Sequence, residues 1–503
     1  MRKKKNSPRI LIVTPEITSL PQGMGNMANR LRAKAGGLAD VSASLVGALF
    51  RHGADVHVAL PHYRKMFNED LGNMVSEDLR AYMAHFNSSS RIHLAEDRIF
   101  YYRDTVYSSY SDDSFKQAVA FQREVLNNII PLVQPDLIHC NDWMTGLIPG
   151  AARKMGIPCL FTVHNIHTSK VTLECIEDRG LDTASFWRNL YYDRPPVNYE
   201  ESRSTNPVDM LTSGIFGAHF INTVSPTFLR EIVDGCHDFI APQIRREISA
   251  KYYSGCAGGI LNSPDEADDP ETDKALEVRY TSETHREAKR ANKVAFQKRT
   301  GLLIDPDAPL LFWPNRLDPV QKGCQLLAEI MYDVIHRYYD RKLQIAIVAN
   351  GAYQKIFRDI VEFHNFYDRV TVCNFDEDLS HLGFAASDFV LVPSRFEPCG
   401  LPQMTAQYYG SLPIVRDTGG LHDTVEHFNF RELIGNGFVF RDYDAGGLKW
   451  GIDEAMRFYS MAPELREKVI SNVMSGARNR FNHDVTAGHY IDIYESMLAR
   501  PLL

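Results

Sequence analysis

Phe389-Val390-Leu391-Val392-Pro393-Ser394-Arg395-Phe396-Glu397-Pro398-Cys399-Gly400-Leu401 is the stretch that decides the fold. Its first four residues form an uninterrupted apolar run, the pattern of a strand buried on both faces. Pro398 and Gly400 punctuate a sharp loop, and Leu401 to Tyr409 has helical composition. Strand, loop and helix in that order set Glu397 at the carboxyl end of a parallel strand, with a helix start behind it. Open α/β sheets bind ligands at that edge. Backbone N–H groups at a helix start favour phosphate, whereas a carboxylate accepts hydrogen bonds from sugar hydroxyls. The pattern suits a ligand that is part sugar and part phosphate.

The same rhythm extends in both directions. Upstream, Leu310 to Trp313, Leu343 to Val348 and Val370 to Val372 are further buried strands alternating with helical segments. Farther back, Arg9 to Thr14, a Gly-rich turn, a helix from about Leu38 to Phe50, and Asp55 to Leu60 open a first βαβ series. It continues through Leu137 to His139 and Cys159 to Val163, with Ile221 to Ser225 as its expected last strand. Residues 256–304, rich in Asp, Glu, Pro and Ser, read as a linker and hinge running into a polar helix. The expectation is α/β: two Rossmann-like domains facing a cleft, 1–255 and 305–503, with the last helix crossing back onto the first. Ala81 to Ser114 and Lys170 to Ser204 read as insertions of weak periodicity.

Length and charge narrow the function. A chain of 503 residues exceeds one hydrophobic core. A formal charge of −8 argues against a nucleic-acid surface. The apolar run Ile10 to Val13 behind Lys3-Lys4-Lys5 is too short for a signal-peptide core, and no segment is long and apolar enough to span a bilayer, so no membrane partner is expected. The 8 cysteines form no CxxC pair, which points to a reducing cytoplasm, with no metal and no cofactor implied.

Residues 388–425 resemble the donor-binding core of bacterial and plant starch/glycogen synthases, and Lys34-Ala35-Gly36-Gly37-Leu38-Ala39-Asp40 resembles that family's K-x-G-G-L-x-D signature. Paired glycines at a strand-to-helix turn let a phosphate or sugar approach the backbone. His139-Cys140-Asn141-Asp142-Trp143 and Phe161 to Ile166 resemble motifs lining the glucose side of the site. The family usually has His at the places of Asn141 and Met144, and Ala-Tyr-Gln-Gly where His167-Thr168-Ser169-Lys170 stands here. Arg316 to Gly323 resembles R-L-T-x-Q-K-G with one extra residue before Lys322, which requires a bulge, expected at Pro319.

The resemblance implies roles. Arg316 and Lys322 would grip the diphosphate and stabilise it as it leaves, with the Gly419 and Gly420 amides and Thr418 beside it. Glu397 would hold the donor glucose, with Cys399, Gly400 and Leu401 binding substrate beside it. His164 would contact the sugar and Asp142 would stand with it among the catalytic residues. Lys34, Gly36, Gly37, Asp40 and Asn165 would bind substrate, and the ring of Phe375 would stack on adenine. The implied reaction transfers glucose from ADP-glucose to the non-reducing end of an α-1,4-glucan, with retention. UDP-glucose or another donor, and a non-catalytic glucan-binding relative, stay open as alternatives.

Overall fold

A computed structural model describes residues 7–25, 27–67, 90–107 and 111–503. The chain divides into two compact units: Met1–Val224, Leu229–Ile260 and His483–Leu503 form one, and Ser225–Phe228 with Leu261–Asn482 form the other.

Fifteen strands are described in chain order. They are β1 (Arg9–Val13), β2 (Asp55–Pro61), β3 (Ile92–Ala95), β4 (Leu137–Asn141), β5 (Cys159–Val163), β6 (Lys170–Val171), β7 (Val208–Asp209), β8 (Phe220–Thr223), β9 (Ala257–Gly259), β10 (Leu310–Trp313), β11 (Gln344–Val348), β12 (Val370–Cys373), β13 (Phe389–Val392), β14 (Leu412–Arg416) and β15 (Phe438–Phe440). In the first unit the sheet order is β3-β2-β1-β4-β5-β8-β9, with every pairing parallel. The sequence ends this sheet at Ile221 to Ser225, and the structure adds β9 at its edge. Ala257-Gly258-Gly259 carries a single methyl group and no alternation to betray a strand, and backbone pairing with Ile221 to Thr223 defines it.

The sheet of the second unit runs β12-β11-β10-β13-β14-β15, also parallel. Its strands alternate between two cores: Leu311, Trp313, Leu391 and Ile414 on one face, and Leu310, Phe312, Val390 and Val415 on the other. That double burial explains the unbroken apolar runs seen in the sequence.

The boundary regions differ from expectation. Leu261 to Ile304 packs as part of the second unit instead of forming a free hinge. Helix His285–Thr300 buries Lys289, Asn292, Lys293 and Gln297. Their polar ends are satisfied locally: Lys293 Nζ donates to the Ala308 carbonyl at 2.9 Å, and Asn292 Nδ2 to the Val278 carbonyl at 2.8 Å. Polar composition therefore conceals a packed helix. Helix His483–Leu498 groups with the first unit, where Tyr494 OH bonds His139 Nδ1 at 2.8 Å. Of the two insertions, 170–204 contains β6, helix Leu173–Glu177 and part of helix Tyr199–Thr205, joined by Arg203 Nε donating to Glu177 Oε2 at 2.6 Å. The other contains β3 and helix Arg98–Tyr101, and its residues 81–89 and 108–110 lie outside the described residues, as do Lys3 to Lys5. Among the described residues, no helix is long and apolar enough to cross a membrane.

Candidate active site

In the second unit, the loop after β13 carries Glu397, which is 5 % exposed. Lys322 Nζ donates to its Oε2 at 2.6 Å, and Ser394 Oγ to the same oxygen at 3.0 Å. Both protein bonds converge on Oε2, and no described residue bonds Oε1. One oxygen thus fixes the side chain while the other is left for a ligand hydroxyl.

The backbone around Glu397 is closed just as firmly. The Gly420 N–H donates to the Glu397 carbonyl at 3.0 Å. A Cβ on Gly419 would lie 2.0 Å from that carbonyl oxygen, and one on Gly420 would lie 1.9 Å from the Cys399 carbonyl oxygen. Only glycine fits at either position. This revises the expectation that the Gly420 amide is aimed at phosphate, because that N–H belongs to the loop. Gly400 adopts φ +74°, Gln403 Nε2 donates to the Cys399 and Gly400 carbonyls, and Leu401 begins helix Pro402–Tyr408. The Cys399 thiol is pushed up to about 12, chiefly by burial, so it is inert.

The extra residue before Lys322 is absorbed in a turn. The Lys322 N–H donates to the Asp318 carbonyl at 2.8 Å, while Asp318 Oδ1 accepts from the Val320 N–H at 2.8 Å. Pro319 lies inside this turn. The structure brings Lys322 to Glu397 and leaves Arg316, at the start of the loop, exposed. Phe375 follows β12 and is 54 % exposed, so its ring is a surface and not core. Its N–H is fixed by Asn350 Oδ1 at 3.0 Å, and Asp376 caps the next helix through the Leu379 N–H at 2.7 Å. A recess of about 770 Å³ in this unit is lined by Asp417, just before Thr418, and by His422 and Trp450.

In the first unit the strand ends of β1, β4 and β5 assemble a second cluster. Glu16, absent from the sequence-based candidates, is its organiser. Its Oε2 accepts the Ala35 and Gly36 N–H groups at 2.8 and 3.1 Å, and its Oε1 accepts Tyr107 OH at 2.6 Å. The start of helix Gly37–Arg51 is thus already occupied by an internal carboxylate, as the helix dipole favours. At the Gly36-Gly37 turn, where a phosphate or sugar was expected to approach the backbone, the Gly36 N–H is thus engaged inside the protein. Gly36 is extended, and a Cβ there would meet nothing within 4 Å, so the fold itself does not require glycine and the space in front of it is open. Lys34 Nζ pairs with Asp40 Oδ2 at 3.0 Å. The only sequence signal for Glu16 was its place two residues after β1's expected end; its partners are distant in the chain.

Asp142 follows β4 with φ +58° and ψ 179°, a region that non-glycine residues avoid. This strain turns its carboxylate toward three donors: the His164 N–H at 2.8 Å, the Asn165 N–H at 3.4 Å and Asn165 Nδ2 at 2.8 Å. Burial pushes its pKa up to about 7 against these bonds, and the Glu16 charge adds to the rise. Asn141 Nδ2 donates to the Val13 carbonyl at 3.1 Å, so its Oδ1 faces His164 Nε2 at 2.9 Å. That nitrogen therefore carries the proton. Burial holds the His164 pKa down to about 3, and the ring is neutral with Nδ1 as an acceptor. His139 is structural: fully buried, it bonds Thr162 Oγ1 at 2.6 Å and Tyr494 OH at 2.8 Å.

Residues 9–240 match the family model described as starch synthase catalytic domain, and residues 295–474 match glycosyl transferases group 1. A glycogen synthase of Moorella thermoacetica is 32% identical, covering 98% of each chain. The chain belongs to the glycogen synthase family. A second family member, the glycogen synthase of Exiguobacterium sibiricum, is 33% identical over 92% of this chain and 95% of its own. Among solved structures, the catalytic domain of starch synthase IV from Arabidopsis thaliana, bound to ADP and acarbose, aligns with TM-score 0.76 and 26% identity, covering 98% of this chain and 100% of that one. Membership makes the chain a glycosyltransferase of glycogen and starch synthesis, with two Rossmann-like domains of the GT-B class.

Proposed function

We propose that this glycogen synthase family member transfers glucose from ADP-glucose to the non-reducing end of an α-1,4-glucan, with retention at the anomeric carbon. The observation that carries the reading is Glu397, pinned through Oε2 by Lys322 and Ser394 with Oε1 unengaged at the carboxyl edge of the sheet. A carboxylate so held accepts a glucose hydroxyl without attacking carbon. Lys322 lies against Glu397 and adds positive charge where a departing diphosphate needs it, and exposed Arg316 is available to the same group. The Phe375 ring offers a face to adenine. The likeness to a starch synthase solved with ADP supports that base.

On the first unit, neutral His164 presents Nδ1 as an acceptor for a sugar hydroxyl, with Asp142 and Asn165 fixing its loop. Lys34, Gly36, Gly37 and Asp40 frame the acceptor side. Eight free thiols accord with work in a reducing cytoplasm. The test supplies labelled ADP-glucose and UDP-glucose, in parallel, with glycogen. Faster incorporation from ADP-glucose is expected. Preference for UDP-glucose overturns the donor assignment, and binding of glycogen without incorporation overturns catalysis.

A further inference from the structure

A pocket of about 210 Å³ lies in the second unit among helix His285–Thr300, the starts of β13 and β14, and helix Pro463–Arg480. It is at the opposite end of β13 from Glu397 and smaller than the pockets that take drug-sized ligands. Three of its cations are matched: Arg290 with Asp307, Lys293 with Asp388 at 2.6 Å, and Arg286 with Glu467 at 3.0 Å. Two remain, Lys289 and Arg466.

Lys289 is 8 % exposed. Its three N–H groups donate to the Ala385 carbonyl at 3.0 Å, the Tyr409 carbonyl at 2.9 Å and Ser411 Oγ at 3.0 Å. The hydrogen bonds are complete, yet among the described residues no carboxylate pairs with the charge. Arg466 lies 4.5 Å over the Tyr459 ring, and its Nε is buried without a partner. His285, 5 % exposed, gives its Nδ1 proton to the Ser282 carbonyl at 2.9 Å and leaves Nε2 with no partner. A chain with net charge −8 thus lines one small pocket with five cations against three carboxylates, and with an orphaned imidazole nitrogen. Buried charge without a counter-charge is costly.

We propose that this pocket binds a small phosphate-class oxyanion. The anion supplies the missing negative charge, and the guanidinium groups supply donors of matching geometry. The Ala385 and Tyr409 carbonyls that hold Lys289 lie at the ends of helices Glu377–Ala386 and Pro402–Tyr408, whose starts follow Phe375 and Glu397.

Proton uptake distinguishes this site. Burial holds Lys289 down to about 7, with Asp388 opposing and Lys293 adding, and burial also lowers His285. The groups facing Lys289 are Lys293 and His285 on its own helix, Asp388 before β13, Asp307 before β10, Tyr280 through the shared Tyr409 carbonyl, Tyr459, and Arg466 with Glu467. An arriving anion favours the protonated forms of both lowered groups.

The test is isothermal titration of the full chain with inorganic phosphate, at about pH 8, in buffers of different ionisation enthalpy. Saturable binding with uptake of on the order of one proton per anion is expected. Affinity should fall at least tenfold in Lys289→Met and in Arg466→Gln, the latter half-buried and kept as the variant least able to disturb folding. A parallel titration with glycerol 3-phosphate separates sources: tighter binding identifies a phosphate monoester, equal or weaker binding identifies free phosphate. No saturable heat at millimolar phosphate, binding without proton uptake, or binding that both variants retain would each overturn the site.

Discussion

Removing Lys322 should destabilise the protein through Glu397, and a double-mutant cycle measures by how much. The pair is 2.6 Å apart with side chains only 12% and 7% exposed. At an effective dielectric of about 20 the attraction at that distance is on the order of 6 kcal/mol, much of it offset by desolvating two ions. Lys322→Met leaves the carboxylate with Ser394 as its one described side-chain donor, and breaking a buried pair in this way costs about 3–5 kcal/mol. Glu397→Gln keeps an oxygen that still accepts from Lys322, so about 1–2 kcal/mol is expected. In the double variant no charge is stranded, and the coupling should be about 2 kcal/mol or more. Urea denaturation followed by tryptophan fluorescence reads it, since Trp313 is fully buried in the same unit. Additivity of the two single changes to within about 0.5 kcal/mol would refute the reasoning.

Asp142→Asn tests the raised pKa of Asp142. The folded value, about 7, exceeds the ordinary 3.8, so the native state holds the proton between them; the associated stability is present at low pH and lost as pH rises through about 7. The variant should therefore gain on the parent by about 3 kcal/mol between about pH 5 and pH 8.5, and parallel pH–stability curves would contradict the shift. Gly420→Ala should abolish turnover while leaving far-UV circular dichroism intact, because its Cβ would meet the Cys399 carbonyl oxygen at 1.9 Å; near-parental kcat would show that the loop yields freely. Phe375→Ala should raise KM for the nucleotide sugar by roughly tenfold, about 1.4 kcal/mol, with little loss of stability because the ring is exposed; unchanged KM would remove the stacking role.

The buried parallel strands were legible because both faces are apolar, as in Phe389 to Val392. The site-bearing loops were legible because they follow those strands. What stayed hidden depended on partners distant in sequence. Glu16 looked like any acid until Tyr107 and Ala35 converged on it. β9 is invisible because Ala-Gly-Gly has no side-chain pattern. Helix His285–Thr300 looked solvated because its lysines are buried by bonding carbonyls and a carboxylate that local composition cannot reveal. Gly420 looked like an anion-binding amide, but backbone closure on Glu397 uses its N–H first.

The tyrosines of the final helix set an order of events during synthesis. Tyr494 bonds His139 on β4, and Tyr490 OH accepts from Asn222 Nδ2 on β8 at 3.0 Å. The first sheet to leave the ribosome therefore keeps two polar side chains waiting until residues 483–498 emerge, some 260 residues after β8. In the meantime Leu261–Asn482 has emerged as a nearly continuous unit and is free to fold. The amino-terminal unit begins first and finishes last, so a nascent chain stalled before residue 483 presents a folded second unit beside a first sheet whose buried His139 and Asn222 lack their final partners.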